Sequence, residues 1–364
     1  MKRNLLLCGL CICFLGSMSI AQELTEKEQA YRDSIAALNE ENATIAASQE
    51  AYNQGIELFN KKSYKQSIKS FSKSIEADPN FTAAYYNKGV AENETNLYAA
   101  AAKTLSTLIN KDPEYAKAYF QRARAYQGTG DYTKAEKDYK KAIQLAPKNP
   151  KAHYNYGTLK FLQQDYDGAI TSFTTTIDLK GNLAYAFNDR GSAYRMKGEY
   201  KRALADYEEA ARKNPNLAFV LNNIGTTKLK MENYDGAIAS FNRAISVDKN
   251  FYLAYNNRGA TQIEKNRLDE ALSDFNKCIS IKDDYAPAYA NIAAVKFKKE
   301  DYKGAKKAAD KAIQLDNEYA TAYVNRGMIK EMLRDMNGAC EDWNKANELG
   351  AESGGKYAAQ NCGY

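Results

Sequence analysis

The sequence predicts an all-α fold in which short helix–turn–helix units stack one on another as a solenoid. The first observation is a glycine or alanine that recurs every 34 residues, with a second small residue twelve positions after it. The first of these stands at Gly55, Gly89, Ala123, Gly157, Gly191, Gly225, Gly259, Ala293 and Gly327. A period of this length is typical of stacked helical repeats. Although a chain of 364 residues could hold two or three domains, nine copies without an insertion predict one quasi-linear array.

One copy, residues 184–217, shows why each unit is expected to form two amphipathic helices. Phe187, Gly191 and Tyr194 follow at helical spacing and share one face. A short turn with a glycine leads to a second set at similar spacing, and Pro215 then ends the second helix. The second set is Tyr200, Ala203, Tyr207 and Ala210. Such a unit cannot bury its apolar face alone, so it needs a neighbouring unit.

The remaining repeat positions extend the pattern. An aromatic residue beside the turn recurs as Tyr64, Tyr98, Tyr132, Tyr166, Tyr200, Tyr234 and Tyr302. A second aromatic position, in the second helix, holds Phe71, Tyr139, Phe173, Tyr207, Phe241, Phe275 and Trp343. A proline ends four copies, at Pro79, Pro113, Pro147 and Pro215. Five other copies carry Gly181, Lys249, Asp283, Asn317 and Ala351 there, so their turns are less defined by the sequence.

This pattern resembles the tetratricopeptide repeat. The resemblance implies a right-handed superhelix, an α-solenoid whose concave groove is lined by the first helix of every repeat. It also implies that the groove binds an extended peptide or a helix of a partner protein. Nine repeats are predicted within 48–353, at 48–81, 82–115, 116–149, 150–183, 184–217, 218–251, 252–285, 286–319 and 320–353. Residues 354–364 follow as a C-terminal cap.

The start of the chain has the composition of an export signal. Residues 1–21 combine Lys2 and Arg3, an apolar run and small residues before Gln22, which predicts a secretory signal peptide. A membrane anchor and a lipoprotein signal are the alternatives; the apolar run is short for a span, and no small residue precedes Cys8, Cys11 or Cys13. The mature chain is therefore expected to be exported without a membrane span. The setting implied by resemblance is the periplasm of a Gram-negative bacterium, with or without association with the outer membrane.

Residues 22–47, here called the lead-in, carry apolar residues at roughly helical spacing without a repeat signature. These residues are Leu24, Tyr31, Ile35, Leu38 and Ile45. The pattern predicts a helix before the first repeat. The helix could cap the stack or pair with a second copy.

An arginine in the first helix and an aspartate in the second helix occur together in every second repeat. The pairs are Arg122 with Asp138, Arg190 with Asp206, Arg258 with Asp274, and Arg326 with Asp342. In the intervening repeats both residues are replaced, for example by Ile224 and Ser240. This joint occurrence predicts structural ion pairs, because a guanidinium can bind a carboxylate through two parallel hydrogen bonds. An anion-binding role is the alternative.

Three cysteines follow the predicted leader. Cys340 and Cys362 are candidates for a disulfide that closes the C-terminal cap, since an exported protein meets oxidising conditions; two free thiols are the alternative. Cys278 occupies a small, buried repeat position and is predicted to be an inert core thiol. His153, the one histidine, is predicted to be a packing residue. No metal site and no cofactor are expected.

Composition and motifs argue against other functions. The net charge of +6 includes Lys2 and Arg3 and is too small and dispersed for a nucleic-acid surface. The sequence contains neither a nucleophile motif nor a glycine-rich phosphate loop. We therefore expect a non-catalytic protein.

Function is expected in the groove, whose early part is aromatic and whose middle part is polar. The aromatic candidates are Tyr86, Phe120 and Tyr154, and the polar candidates are Asn188, Asn222, Asn256, Asn223 and Asn257. An asparagine ladder can hold the backbone of a peptide, because each amide both donates and accepts. The sequence thus favours a scaffold that binds a protein or peptide and supports assembly of an envelope or secretion complex. A binder of an envelope glycan or small ligand, using the aromatics, is the alternative; an enzyme subunit inactive alone is weaker.

Overall fold

The chain folds as an all-α repeat protein. The computed structural model describes the backbone of residues 4–363 and the side chains of residues 25–363. Within this part there are nineteen α-helices and no strand, which confirms the predicted solenoid of helix pairs. The chain divides into two compact units, Met1–Leu159 and Lys160–Tyr364. The predicted leader, residues 1–21, lies outside the residues whose side chains are described.

In the first unit, helices alternate between the first and the second helix of a repeat. They are α1 Asn4–Asn60, α2 Tyr64–Ala77, α3 Thr82–Glu94, α4 Tyr98–Lys111, α5 Ala116–Gly128, α6 Tyr132–Leu145 and α7 Pro150–Leu162, whose last three residues belong to the second unit. α1 packs on α2, α3 on α4 and α5 on α6, as expected for helix–turn–helix repeats. α1 is long because the lead-in continues without a break into the first helix of the first repeat.

The second unit repeats the same alternation and ends with one extra helix. Its helices are α8 Tyr166–Asp178, α9 Leu183–Met196, α10 Tyr200–Lys213, α11 Ala218–Lys230, α12 Tyr234–Val247, α13 Tyr252–Glu264, α14 Leu268–Ile281, α15 Ala286–Lys298, α16 Tyr302–Leu315, α17 Ala320–Met332, α18 Met336–Glu348 and α19 Glu352–Asn361. Odd-numbered helices up to α17 are first helices, even-numbered ones are second helices, and each packs on the next along the chain.

The small residue that recurs every 34 positions lets the two helices of a repeat approach each other closely. A Cβ atom on Gly225 would lie 2.5 Å from the Phe241 ring, and one on Gly259 would lie 2.8 Å from the Phe275 ring. Both rings are fully buried. Because a packed core has no room for such an approach, the position accepts only small residues.

Each turn between a first and a second helix contains one residue in the left-handed backbone region. These residues are Lys62, Asn96, Gly130, Gln164, Gly198, Glu232, Asn266, Glu300 and Arg334. The conformation is unfavourable for residues with a Cβ atom. Its presence even at Glu232, with φ of 61°, shows that the turn length and the helix packing impose it.

Three of the five turns that lack the terminal proline are as regular as those that have it, whereas α8 and α18 end one residue earlier, with Lys180 and Gly350 in the left-handed region. α12, α14 and α16 end at Val247, Ile281 and Leu315, at the repeat position where the proline-containing copies end. The same side-chain turn forms in both kinds of copy: Asp248 accepts a hydrogen bond from the backbone N–H of Asn250 at 2.8 Å, and Asp78, which precedes Pro79, accepts one from that of Asn80 at 2.8 Å. Such a turn within the side chain's own loop stops a helix without proline.

The lead-in is helical, but it does not cover the stack. Every described side chain from 25 to 47 is exposed, and burial begins at Ser48, whose hydroxyl donates to the Ser74 carbonyl oxygen at 2.9 Å. A cap buries the apolar end of the first repeat. The exposed lead-in does not do so, which leaves pairing as the alternative for this segment.

The C-terminal residues do cover the last repeat. α19 begins at Glu352 and packs on α18, where the Tyr357 ring stacks on Trp343 with centroids 5.4 Å apart. Trp343 is fully buried. The structure brings Cys340 and Cys362 together with Cα atoms 5.7 Å apart, a separation that a disulfide spans.

Candidate functional site

The predicted arginine–aspartate pairs all form within their repeats. Arg190 donates to both oxygens of Asp206 through Nε and Nη2, at 2.8 Å each. The same two-bond contact, at 2.5–2.9 Å, joins Arg122 with Asp138, Arg258 with Asp274, and Arg326 with Asp342. The remaining nitrogen, Nη1, donates to the second helix of the preceding repeat. Its acceptors are Ser106, Thr174, Asn242 and Asp310.

The surroundings of these pairs give them a structural role. All four aspartates are buried, and each guanidinium also lies over an aromatic ring of its own helix, for example Arg190 over Phe187 at 5.4 Å. The hydrogen bonds from Arg190 to Asp206 raise the pKa of the guanidinium. Because both carboxylate oxygens and three arginine nitrogens are used inside the stack, the geometry favours the ion pair over an anion site.

The asparagines predicted to line the groove form hydrogen bonds with one another between repeats. The Oδ1 atoms of Asn188, Asn222 and Asn256 accept from Nδ2 of Asn223, Asn257 and Asn291 at 2.9, 3.0 and 3.0 Å. We call these six residues the asparagine ladder. Asn188, Asn222 and Asn256 are only 6–8 % exposed. The amide oxygens expected to hold a peptide each accept a hydrogen bond within the stack instead, so the geometry does not favour the predicted peptide contact.

The early aromatic residues also pack within the first unit. The Tyr86 ring lies 5.6 Å from Tyr115, and the Phe120 ring lies 6.1 Å from Tyr139. Both are half-buried, as is Tyr154. The structure uses these rings to join first helices to their neighbours, which does not favour the glycan-binding alternative.

An apolar pocket of about 180 Å³ lies in the second unit, between the first helices α15 and α17. Its lining comprises Ala293, Ala294, Phe297, Lys298, Asn325, Met328 and Ile329. We call it the α15–α17 pocket. An apolar cavity of about 150 Å³ is large enough to bind benzene, so this pocket has room for one large apolar side chain.

Small residues open the pocket. Ala293 and Ala294 of α15 line it, whereas Ala290, at the repeat position held by Asn188 or Asn222 further back in the unit, is fully buried against Ala312 and Ala322. Without a long side chain at 290, Nδ2 of Asn325 donates to the Ala290 carbonyl oxygen at 3.1 Å. Phe297 is held at the floor by the Tyr302 ring, 5.6 Å away. Spacing along the chain does not reveal this pocket, because it depends on the volume left between α15 and α17 after they pack.

The rim of the pocket carries a positive charge. Lys298 is exposed and, among the described residues, takes part in no ion pair, whereas Lys296 and Lys299 pair with Asp301 and Asp269. An apolar floor beside a free ammonium group suits an apolar side chain next to a carboxylate.

A metal site, a membrane-spanning helix or a reactive thiol would point to another function in the described part of the chain. No group of three His, Cys, Asp or Glu side chains could hold a metal ion there, and within residues 25–363 no helix is long and apolar enough to cross a membrane. Burial raises the pKa of the Cys278 thiol to about 11, so at neutral pH it stays protonated and unreactive. Nε2 of His153 lies 2.8 Å from the Pro147 carbonyl oxygen.

Comparison with known families identifies the repeat type. Five tetratricopeptide repeat models match the chain, and together they cover more than half of it. The matched residues are 52–117, 116–149, 138–171, 184–217, 222–287 and 286–319. No curated protein matches the chain.

Solved structures show the same fold. A tetratricopeptide repeat protein from Parabacteroides merdae is 23 % identical, with a TM-score of 0.59 over 68 % of this chain and 99 % of that one. The Cut9–Hcn1 hetero-tetramer of the APC/C gives 16 % identity and a TM-score of 0.53 over 73 % of this chain. The match spans 52 % of that second chain. At these identities the likeness shows the fold alone.

Proposed function

The chain belongs to the tetratricopeptide repeat family, and from this premise we propose that it is a non-catalytic scaffold that binds a protein partner through the α15–α17 pocket. Repeats of this family commonly serve as protein–protein interaction scaffolds. The observation that carries the proposal is the open apolar pocket with Lys298 at its rim. The preferred ligand is a peptide segment or helix that offers one large apolar side chain followed or preceded by an acidic residue.

Selection from a library of displayed peptides tests this specificity without knowledge of the partner. The expected consensus is a leucine, isoleucine or phenylalanine next to Asp or Glu. Ala294→Leu fills the pocket, and Lys298→Glu reverses the charge at its rim. We expect both variants to lose the selected peptides, because the first removes the volume and the second repels the carboxylate.

Lys303→Glu is the matched control. It makes the same charge change on the exposed face of α16, away from the pocket, and should leave binding unchanged. Melting curves of all three variants show whether the stack remains folded. Peptides that bind the Ala294→Leu protein as tightly as the parent protein would refute the pocket as the binding site.

We further propose that the scaffold is exported and supports assembly of an envelope or secretion complex in the periplasm of a Gram-negative bacterium. The signal-like pattern of residues 1–21 supports this proposal. The approach of Cys340 to Cys362 also supports it, since a disulfide there is stable only in an oxidising compartment.

Cell fractionation combined with N-terminal sequencing tests the export proposal. The expected result is a periplasmic protein that begins at Gln22 and has no free thiol at Cys340 or Cys362. A protein found in the cytosol with Met1 still present would contradict it.

A further inference from the structure

The exposed part of α1 carries an apolar stripe that no other residue of the described part of the chain covers. Tyr31, Ile35, Leu38 and Ile45 are 67, 40, 55 and 51 % exposed. Single exposed apolar residues are ordinary on protein surfaces. Four of them on one face of one helix, at steps of four, three and seven, instead follow the spacing of a coiled-coil seam.

The same stripe is covered by helices where it enters the stack. Its seven-residue step continues from Ile45 to Tyr52 and Phe59. The Tyr52 ring lies 4.8 Å from Phe81, at the start of α3, and the Phe59 ring lies 5.2 Å from Tyr64 in α2. The stripe is thus a surface that packs against helices, and a helix is the complementary shape for its uncovered part.

We propose that residues 25–47 of two copies of this chain pair as an antiparallel, two-stranded coiled coil. The two-fold axis passes between Ala36 and Ala37. In this register Ile35 of each copy faces Leu38 of the other, which gives a centre of four aliphatic side chains. Tyr31 faces Asn42 on either side of that centre, and at each end Ile45 packs on the aliphatic stem of Glu28, whose carboxylate reaches solvent.

A second copy fits this stripe because the polar Asn42 finds a hydrogen-bonding partner in this register. The Asn42 amide meets the Tyr31 hydroxyl of the other copy, and a polar residue in a coiled-coil core fixes the register of the pair. The exposed segment of about 23 residues is about 35 Å long, and an antiparallel partner centred on it covers all of that length.

Parallel pairing is disfavoured by charge and by space. It would set Glu28 against Glu28 and Lys27 beside Arg32 of the other copy, and like charges in contact destabilise a pair. It would also direct residues 48–60 of the second copy into the space where α2 and α3 cover Tyr52. The antiparallel pair avoids both conflicts.

Sedimentation velocity of the chain from Gln22 onward tests the pairing. We expect the mass of a dimer, and we expect Ile35→Asp/Leu38→Asp to give the mass of a monomer, since buried unpaired carboxylates oppose association. Asp33→Ala/Glu40→Ala, on the opposite face of the same helix, is the control and should remain dimeric. Because the lead-in does not contact the stack, the circular dichroism melt of the repeats should be the same in all three proteins.

Cysteine cross-linking tests the orientation. In the antiparallel pair residue 31 faces residue 42, whereas the two copies of residue 31 lie about 16 Å apart along the axis. A disulfide requires Cα atoms within about 7 Å. A mixture of the Tyr31→Cys and Asn42→Cys proteins should therefore cross-link under oxidation, and neither protein should do so alone.

Two results would overturn the proposal. The first is a monomeric parent protein at tens of micromolar, which would show that the stripe does not bind a second copy. The second is cross-linking of Tyr31→Cys or Asn42→Cys alone, which would show parallel pairing. Neither result depends on the α15–α17 pocket, so this test is independent of the proposed function.

Discussion

In four repeats a single arginine closes its own repeat and joins it to the one before. Arg258 makes both connections, because Nε and Nη2 bind Asp274 in its own repeat while Nη1 binds Asn242 in the preceding one. The carboxylate of Asp274 is buried. One residue therefore controls the angle between two helices and the contact between two repeats.

Removing this arginine is predicted to destabilise the second unit. Arg258→Ala leaves the buried Asp274 carboxylate without its partner, and breaking a buried pair from one side costs about 3–5 kcal/mol. We expect a lower urea midpoint and a lower melting temperature.

The double variant Arg258→Met/Asp274→Leu is the informative control. It removes both charges and keeps apolar volume, so it should be clearly more stable than Arg258→Ala. Equal losses in the single and double variants would show that packing of the arginine stem, rather than the unpaired carboxylate, accounts for the effect.

A second prediction at the residue scale concerns the left-handed turn position. Glu232 has φ of 61° and an exposed side chain. Glu232→Gly should stabilise the protein by about 0.5–1 kcal/mol, since relief of the Cβ clash exceeds the added flexibility of the unfolded chain. Gly198→Ala, at the same repeat position with φ of 78°, should destabilise by a similar amount in chemical unfolding.

Glu92 gives a prediction for pH. Its side chain is 4 % exposed in α3, one carboxylate oxygen has no hydrogen-bond partner, and burial raises the pKa of the carboxyl above 4.5. The folded state therefore holds this proton more tightly than the unfolded state. Stability from this group is present below pH 4.5 and is lost as the pH rises through the folded-state pKa.

Glu92→Gln should remove this dependence. The amide resembles the neutral acid in shape and cannot ionise, so the variant should melt higher than the parent protein at pH 7 and at nearly the same temperature at pH 4. A variant that melts lower at both pH values would show that the carboxylate is needed for its contact with Thr104.

At the scale of secondary-structure elements, one repeat position serves two purposes. In α9, α11 and α13 it holds asparagines of the ladder, which join adjacent first helices. In α15 it holds Ala290, which is fully buried against Ala312 and Ala322. The same position thus joins helices by side-chain hydrogen bonds in three repeats and by close apolar packing in the next.

The structural role of the ladder leads to a prediction for Asn222→Ala. It removes the acceptor for Nδ2 of Asn257 between α11 and α13, and a partly buried donor left unpaired costs about 1–3 kcal/mol. Melting should reveal this loss, while selection of peptides should be unchanged. Asn155→Ala is the control, because Nδ2 of that residue bonds only to the Lys151 carbonyl oxygen of its own helix. Loss of peptide binding in a folded Asn222→Ala protein would restore the ladder as a binding site.

At the scale of the whole molecule, the two ends of the repeat array differ in whether a helix covers them. The C-terminal end is covered by α19, whereas the N-terminal end continues as an exposed helix. A dimer through the lead-in would present two copies of the α15–α17 pocket, and a partner with two binding segments would then gain avidity without any new contact.

Reduction of the proposed disulfide should weaken the C-terminal end. Cys340 and Cys362 are 22 residues apart, and closing a loop of that size contributes about 3 kcal/mol in the chain-entropy model. Since Trp343 is the one tryptophan and stacks on Tyr357, its fluorescence reports on this end directly. We expect reductant to lower its unfolding midpoint in the parent protein but not in Cys340→Ser/Cys362→Ser. A midpoint in the parent protein that does not respond to reductant would contradict the disulfide.

The sequence by itself determined the repeat fold and the residues that form the ion pairs. Helical periodicity is local, and the 34-residue period repeats one template, so partners inside a repeat can be matched by joint occurrence. Arg190 and Asp206 lie 16 residues apart on that template, and they disappear together where the contact is absent.

Only the tertiary structure decided how the asparagine amides are used, where the pocket lies and which face of the lead-in is exposed. Asn188 and Asn223 are 35 residues apart in different repeats, and their contact depends on the angle and separation at which two first helices stack. The pocket depends on the volume left beside Ala293 and Ala294 between two such helices. Spacing along the chain gives the face of a helix, but packing between helices decides whether that face is filled, bonded or open.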